Sequence, residues 1–193
     1  IWNVWKASDG TTEMLLQTRS RPNDPFPGNI DAPAGGHIRS KETPLEAAHR
    51  EWKEEVGISI TSNQLIPLGF IPVDDFFANM YRKVTQFFFL NPIQSSLMET
   101  VFSEEVQAFS IVEFKSFTDL VFNRVDSVNA LNRSSEKHGS LVQKPIKRDD
   151  LRTYTPSIID VIKRSMDSID HYFTTSIIDH SFWNYEKNGP AEN

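Results

Sequence analysis

Cysteine is absent from all 193 residues. That removes disulfides, thiolate metal sites and thiol nucleophiles together, leaving oxygen and imidazole groups as metal ligands. Long hydrophobic runs are lacking as well. No apolar stretch approaches the roughly 20 residues a helix needs to cross a bilayer, so no membrane partner is expected. Positive charge is in deficit: 20 Lys and Arg against 26 Asp and Glu give a formal charge of −6. Such a chain carries no electrostatic footprint for duplex nucleic acid, although a local basic pocket or a metal could hold a small anion. What is present, 38% hydrophobic and 11% aromatic residues, exceeds the signature of disorder and suits one sizeable domain, or one domain with an extension. The expected partner is a small molecule. The expected location is the cytoplasm, with an N-terminal targeting segment left open because the first residue is Ile1, and the choice between monomer and homodimer is also open.

Residues 1–7 and 13–19 are short apolar segments flanking Asp9-Gly10-Thr11, the pattern of two strands and a turn. From Ser20 to Gly36, four prolines and three glycines in seventeen positions exclude a helix or an interior strand. A long structured loop of that kind tends to carry function. Thr43-Pro44 supplies an N-cap followed by proline at the first helical position, and Gly57 closes the segment, so a helix is expected over about 44–56. Strands are expected at 65–73, 82–91 and 107–114, with a short amphipathic helix at 116–125. Arg133 to Asp149 is polar and breaks the pattern. It restarts as a helix over 155–173 with Thr155 as cap and Ile158, Ile159, Ile162, Met166, Ile169 and Phe173 on one face. The mixture argues for an α/β or α+β fold. The expected organisation is a domain over residues 1–130, followed at 131–193 by a linker and a helical extension packed on it.

Within "HREWKEEVGI" (49–58), Glu51, Glu54 and Glu55 stand at i, i+3 and i+4 and therefore share one face of the expected helix. Like charges at this spacing repel, so the face needs cations or full solvation. Taken alone, an acidic face with Arg50 and Lys53 as counterions is an ordinary solvated surface.

The wider spacing decides otherwise. Gly36 is followed after five residues by Glu42, after seven more by Arg50-Glu51, and then by Trp52-Lys53-Glu54-Glu55-Val56-Gly57-Ile58. This resembles the Nudix box at every fixed position, a match whose chance expectation from background composition is on the order of one in a billion. Trp52 stands where the family usually has an aliphatic residue. The resemblance implies a Nudix α/β/α sandwich with a mixed sheet and hydrolysis of a diphosphate linkage aided by Mg²⁺ or Mn²⁺. It implies Glu51, Glu54, Glu55 and the Gly36 carbonyl as metal ligands, which suits hard cations, and Arg50 paired with Glu42 as the support that holds the carboxylates. Lys53 falls on the far face.

Residues 15–38 and 103–114 further resemble the branch related to isopentenyl diphosphate isomerase, with a Leu-Leu-x-x-Arg-Ser segment, a Pro-Gly turn and a Gly-His pair at Gly36-His37. The isomerases carry a catalytic cysteine where this chain has Gly35, so the resemblance implies a related hydrolase. An isomerase and a non-catalytic diphosphate-binding module are the alternatives. The matching histidine of isomerases is a metal ligand, whereas His37 in a glycine-rich loop fits a hydrogen-bonding or substrate contact. Glu105, and after it Glu104, match an acidic pair of that branch and are candidates for a further base, although a charged lead-in to a strand explains them equally. Asp74, Asp75 and Glu99 are weaker candidates. Arg19, Arg21 and Arg39 flank the box as possible phosphate clamps. Trp2, Trp5, Phe26, Phe76, Phe77 and Tyr81 have the spacing of core aromatics. His49 is read as structural, and His138, His171 and His180 carry no assigned role.

Overall fold

The computed structural model describes residues 1–20, 26–61, 63–77, 80–135, 139–151 and 156–183. Strands β1 (Trp2–Lys6) and β2 (Thr12–Arg19) form the expected hairpin. Its turn is held by Asp9 Oδ1, which accepts from the Thr11 backbone N–H at 2.9 Å. β3 (Ile30–Asp31) lies inside the segment expected to be loop and pairs with Gln17 and Thr18 of β2. Helix α1 (Pro44–Glu55) follows, then β4 (Ile66–Phe77), β5 (Met80–Asn91), β6 (Val106–Glu113), α2 (Phe114–Val121), β7 (Ser127–Ser134), β8 (Leu141–Lys147) and α3 (Pro156–Thr175). The sheet runs β4-β5-β1-β2-β6-β7-β8, with β3 beside β2. Among the described residues, only the β1–β5 pairing is parallel. This is the mixed sheet of the expected α/β/α sandwich.

Strand alternation divides the core into two. Leu15 faces α1 and packs with Trp5, Trp52, Val56 and Phe109. Met14 and Leu16 face the opposite way, into a larger cluster with Phe117 and Leu120 of α2 and Ile162, Met166 and Ile169 of α3. Trp52 is fully buried, so the bulk that departs from the usual aliphatic residue is absorbed by the layer between α1 and the sheet. The apolar stripe expected on α3 is the face it buries, with Ile158, Ile159 and Phe173 at its margins. Thr155 lies outside the described residues.

The polar stretch at 133–149 differs from the expected break. β7 continues to Ser134, and β8 adds an edge strand in register with it from Ser127↔Lys147 to Arg133↔Leu141. An edge strand with one solvated face needs few apolar residues, and Ile146 alone is buried in β8. α2 likewise begins at Phe114, directly where β6 ends, two residues before its expected start. After α3, Trp183 stacks on Phe88 at 4.6 Å between ring centroids and seats the end of the described chain on β4 and β5. No helix among the described residues is long and apolar enough to cross a membrane.

Candidate functional site

The local sequence fixes where α1 starts and stops. Thr43 Oγ1 accepts from the Glu46 N–H at 3.3 Å, and Glu46 Oε2 accepts from the Thr43 N–H at 2.8 Å, which closes a reciprocal cap with Pro44 behind it. At the other end Gly57 adopts φ +80°, and a side chain there would also overlap Val101. Only glycine satisfies both conditions at little cost. The helix is thereby held in one register, and its face of Glu51, Glu54 and Glu55 is fixed.

Arg50 organises that face. Its Nε and Nη2 donate to Glu42 Oε1 and Oε2, both at 2.9 Å, and Nη2 also donates to the His37 carbonyl at 2.9 Å. Nη1 donates to Glu51 Oε1 at 2.5 Å and to Glu54 Oε2 at 3.2 Å. One planar guanidinium thus ties the loop at 37–42 to two carboxylates of the helix, which a lysine could not do. The guanidinium of Arg50 holds the Glu42 carboxyl at a pKa of about 2, with the Arg39 N–H adding to the effect. Arg39 Nη2 adds a longer contact of 3.3 Å to Glu54.

Glu55 is different in kind. It is buried, and its carboxylate meets two neutral donors, Gln17 Nε2 at 3.0 Å and the Gly35 N–H at 3.3 Å. Burial pushes its pKa up to about 7; those two hydrogen bonds act against the rise, while the charges of Glu105 and Glu51 add to it. A buried carboxylate with no cation in contact is costly, and a divalent cation would relieve it. Gly36 completes the arrangement, since a methyl group on its Cα would overlap the Glu51 carboxylate. Gly36→Ala is therefore expected to displace Glu51 and weaken Mn²⁺ binding by at least about tenfold, within the 10–100-fold range for disturbed ligand support; titration of the substrate-free protein would show it.

Among the described residues, no three acidic or imidazole groups stand gathered as a finished metal cage. Every box carboxylate is already engaged by a protein donor, Glu51 through Oε1 and Glu54 by Arg50 and Arg39, yet each keeps lone pairs that a metal could use. All the ligands available are hard oxygens, which fit Mg²⁺ or Mn²⁺.

A profile of the NUDIX domain matches residues 2–131. The chain belongs to the Nudix family. Members of that family generally need divalent metal ions. Over 126 residues the chain is 29% identical to "Nudix hydrolase 3" of Arabidopsis thaliana, spanning 62% of this chain and 16% of that protein. It is 24% identical over 168 residues to an uncharacterized Nudix hydrolase of Clostridium acetobutylicum, covering 84% of this chain and 80% of the relative. The crystal structure of a MutT/nudix family protein from Enterococcus faecalis shares the fold, with a TM-score of 0.51 at 15% identity over 88% of this chain and 61% of that one. The chain thus spans less than a third of several of the curated relatives it matches, 16% of one and 28% of two others.

Of the Nudix residues named from the sequence, Gly36, Glu42, Arg50, Glu51 and Glu54 come together as one network, and Glu55 stands beside it on Gln17 and the Gly35 N–H. Glu105 is exposed, but its carbonyl accepts from the Ser20 N–H at 2.9 Å at the end of β2, and its charge reaches Glu55. Glu104 is exposed beside it. His37 joins through its backbone oxygen, with the residue itself exposed. Arg39 meets Glu54, whereas Arg19 pairs with Asp31 at 2.8 Å. Arg21 lies outside the described residues.

Asp74 accepts from the Tyr81 hydroxyl across the β4–β5 hairpin, and Glu99 sits exposed on the loop after β5. The side chains of Asp75, Phe76 and Phe77 lie outside the described set. Trp2 and Trp5 are core, and Phe26 packs against it. Gln17, not named from the sequence, touches Glu55 directly. Its signal was a polar residue on the inward face of "EMLLQTR", two positions after Leu15.

Proposed function

We propose that the chain hydrolyses a diphosphate linkage in a nucleoside diphosphate derivative or a similar organic diphosphate, with Mg²⁺ or Mn²⁺ held by Glu51, Glu54, Glu55 and the Gly36 carbonyl. The observation that carries this reading is Glu55, a buried carboxylate facing only neutral donors beside two further carboxylates anchored on Arg50. The metal, when bound, supplies charge neutralisation for phosphate oxygens and a water made acidic enough to attack.

The chain's own residues do the rest. Arg50 and Glu42 hold the loop and helix in register, so the carboxylates are aimed before a ligand arrives. Glu54, the most exposed of the three at 48% of its side chain, would take a proton from a water on the open side. Glu105 and Glu104 are further candidates for that role. Arg39, in the loop beside Glu54, would meet a phosphate of the substrate. His37 lies exposed in the same loop for a substrate contact.

The test is a panel of nucleoside diphosphate derivatives, isoprenoid diphosphates and sugar nucleotides, read by phosphate or nucleotide release with Mg²⁺ or Mn²⁺ varied. Turnover that vanishes with a chelator and returns with either metal is expected. Cleavage of no member with either metal would overturn the proposal, and double-bond migration without phosphate release would reassign the site to isomerase chemistry.

A further inference from the structure

Gln17 is 3% exposed and sits where β2 is paired on both sides, to Phe109 of β6 and to Asp31 of β3. Its backbone is therefore among the most constrained in the sheet. The side chain projects toward α1, on the face where Leu15 packs against Trp52 and Val56. Nε2 donates to Glu55 Oε2 at 3.0 Å, while Oε1 is buried without a partner. Leaving an acceptor unpaired in the interior is costly. A leucine here would remove that cost and continue the apolar face, so packing does not account for the residue.

Its contact with Glu55 does. Together, Gln17 Nε2 on Oε2 and the Gly35 N–H on Oε1 fix both oxygens of a carboxylate on the last turn of α1. A lysine or arginine could fix them as well, but it would neutralise the charge and compete with a cation. An amide orients the group and leaves its negative charge available. We infer that Gln17 is a positioning residue that holds Glu55 in the orientation in which it receives the divalent metal. This rests on the proposed metal-dependent reading of the site and adds to it a residue outside the Nudix box, acting from the sheet.

The test measures Mn²⁺ affinity of the full chain without substrate, from the free-ion electron paramagnetic resonance signal. Gln17→Met keeps the volume and removes the donor. It should weaken Mn²⁺ binding by about 10–100-fold, the usual effect of losing a group that orients a ligand, with thermal unfolding close to that of the unmodified chain. Gln17→Asn, which keeps an amide but cannot span to Glu55, should lose a similar factor and guards against a folding defect peculiar to Met. Hydrolysis by either variant should recover at saturating Mn²⁺, which a merely structural defect would not show.

In a Glu55→Gln background, Gln17→Met should cost no further affinity. Unchanged Mn²⁺ binding in both Gln17 variants, or a full additional loss in the Glu55→Gln background, would overturn the inference while leaving the metal site intact. Failure of the unmodified chain to take up Mn²⁺ would instead overturn the metal-site reading and the inference with it.

Discussion

Glu54→Gln is expected to lower kcat by about 10²–10⁴-fold, the range for removing a positioned proton acceptor, while leaving the fold intact. The separation follows from where Glu54 sits. Its side chain is 48% exposed and meets only the guanidinium groups of Arg50 and Arg39, at 3.2 and 3.3 Å. Glutamine preserves size and can still face those donors through its carbonyl oxygen, so thermal unfolding should move little. What it removes is a full negative charge on the open side of the helix, which the proposed mechanism uses to meet both a cation and a water. Glu51→Gln should differ in kind. Glu51 is 14% exposed, at 2.5 Å from Arg50 Nη1 and under the Gly36 backbone, so neutralising it disturbs the support as well as the proposed metal ligation. Single-turnover rates together with unfolding curves separate the two cases. Full turnover in Glu54→Gln would remove that residue from the mechanism and move the role to Glu105.

The helix was legible from local causes, whereas the box was legible through the resemblance of its spacing to the family pattern. Thr43 and Gly57 delimit a helix by hydrogen bonding and by φ, and i, i+3, i+4 spacing places three carboxylates on one side whatever surrounds them. The same holds for α3, whose apolar stripe is periodic enough to name its buried face. β8 was not legible, because an edge strand with a solvated face leaves little hydrophobic alternation to read. Gln17 escaped for another reason. Its importance depends on which residue lies opposite it across the space between sheet and helix, and no spacing along the chain encodes that. Arg19 shows the converse, since a basic residue in a promising loop is matched by Asp31 once β3 pairs with β2. Residues with partners nearby in sequence could be assigned; those whose partners arrive through the sheet needed the fold.

Raising the pH from about 4.5 to about 7 is expected to destabilise the metal-free protein through Glu55. In the folded chain burial holds this carboxyl at about 7, with the charges of Glu105 and Glu51 adding to the rise; in the unfolded chain it ionises near the ordinary value of about 4.3. Between these values the folded state keeps a proton that the unfolded state has released, so stability falls with rising pH. At about 1.4 kcal/mol per pH unit the loss is on the order of 4 kcal/mol, complete above the folded value. Glu42 acts in the opposite direction and in a different window. Held at about 2 by Arg50, it contributes stability present above the ordinary carboxylate range and lost as the pH falls toward 2. Unfolding of the chelator-treated protein from pH 5 to 8 should therefore show a decline that Glu55→Gln flattens, with the variant the more stable of the two at pH 8. A divalent cation reverses the sign, because it binds the ionised carboxylate. Mn²⁺ affinity should rise as the pH climbs toward 7, with uptake of the ion releasing a proton that calorimetry in buffers of different ionisation enthalpy would count. Parallel stability curves for the unmodified chain and Glu55→Gln would show that Glu55 is ionised throughout, and the buried carboxylate would then have to be balanced by a charge on the protein itself.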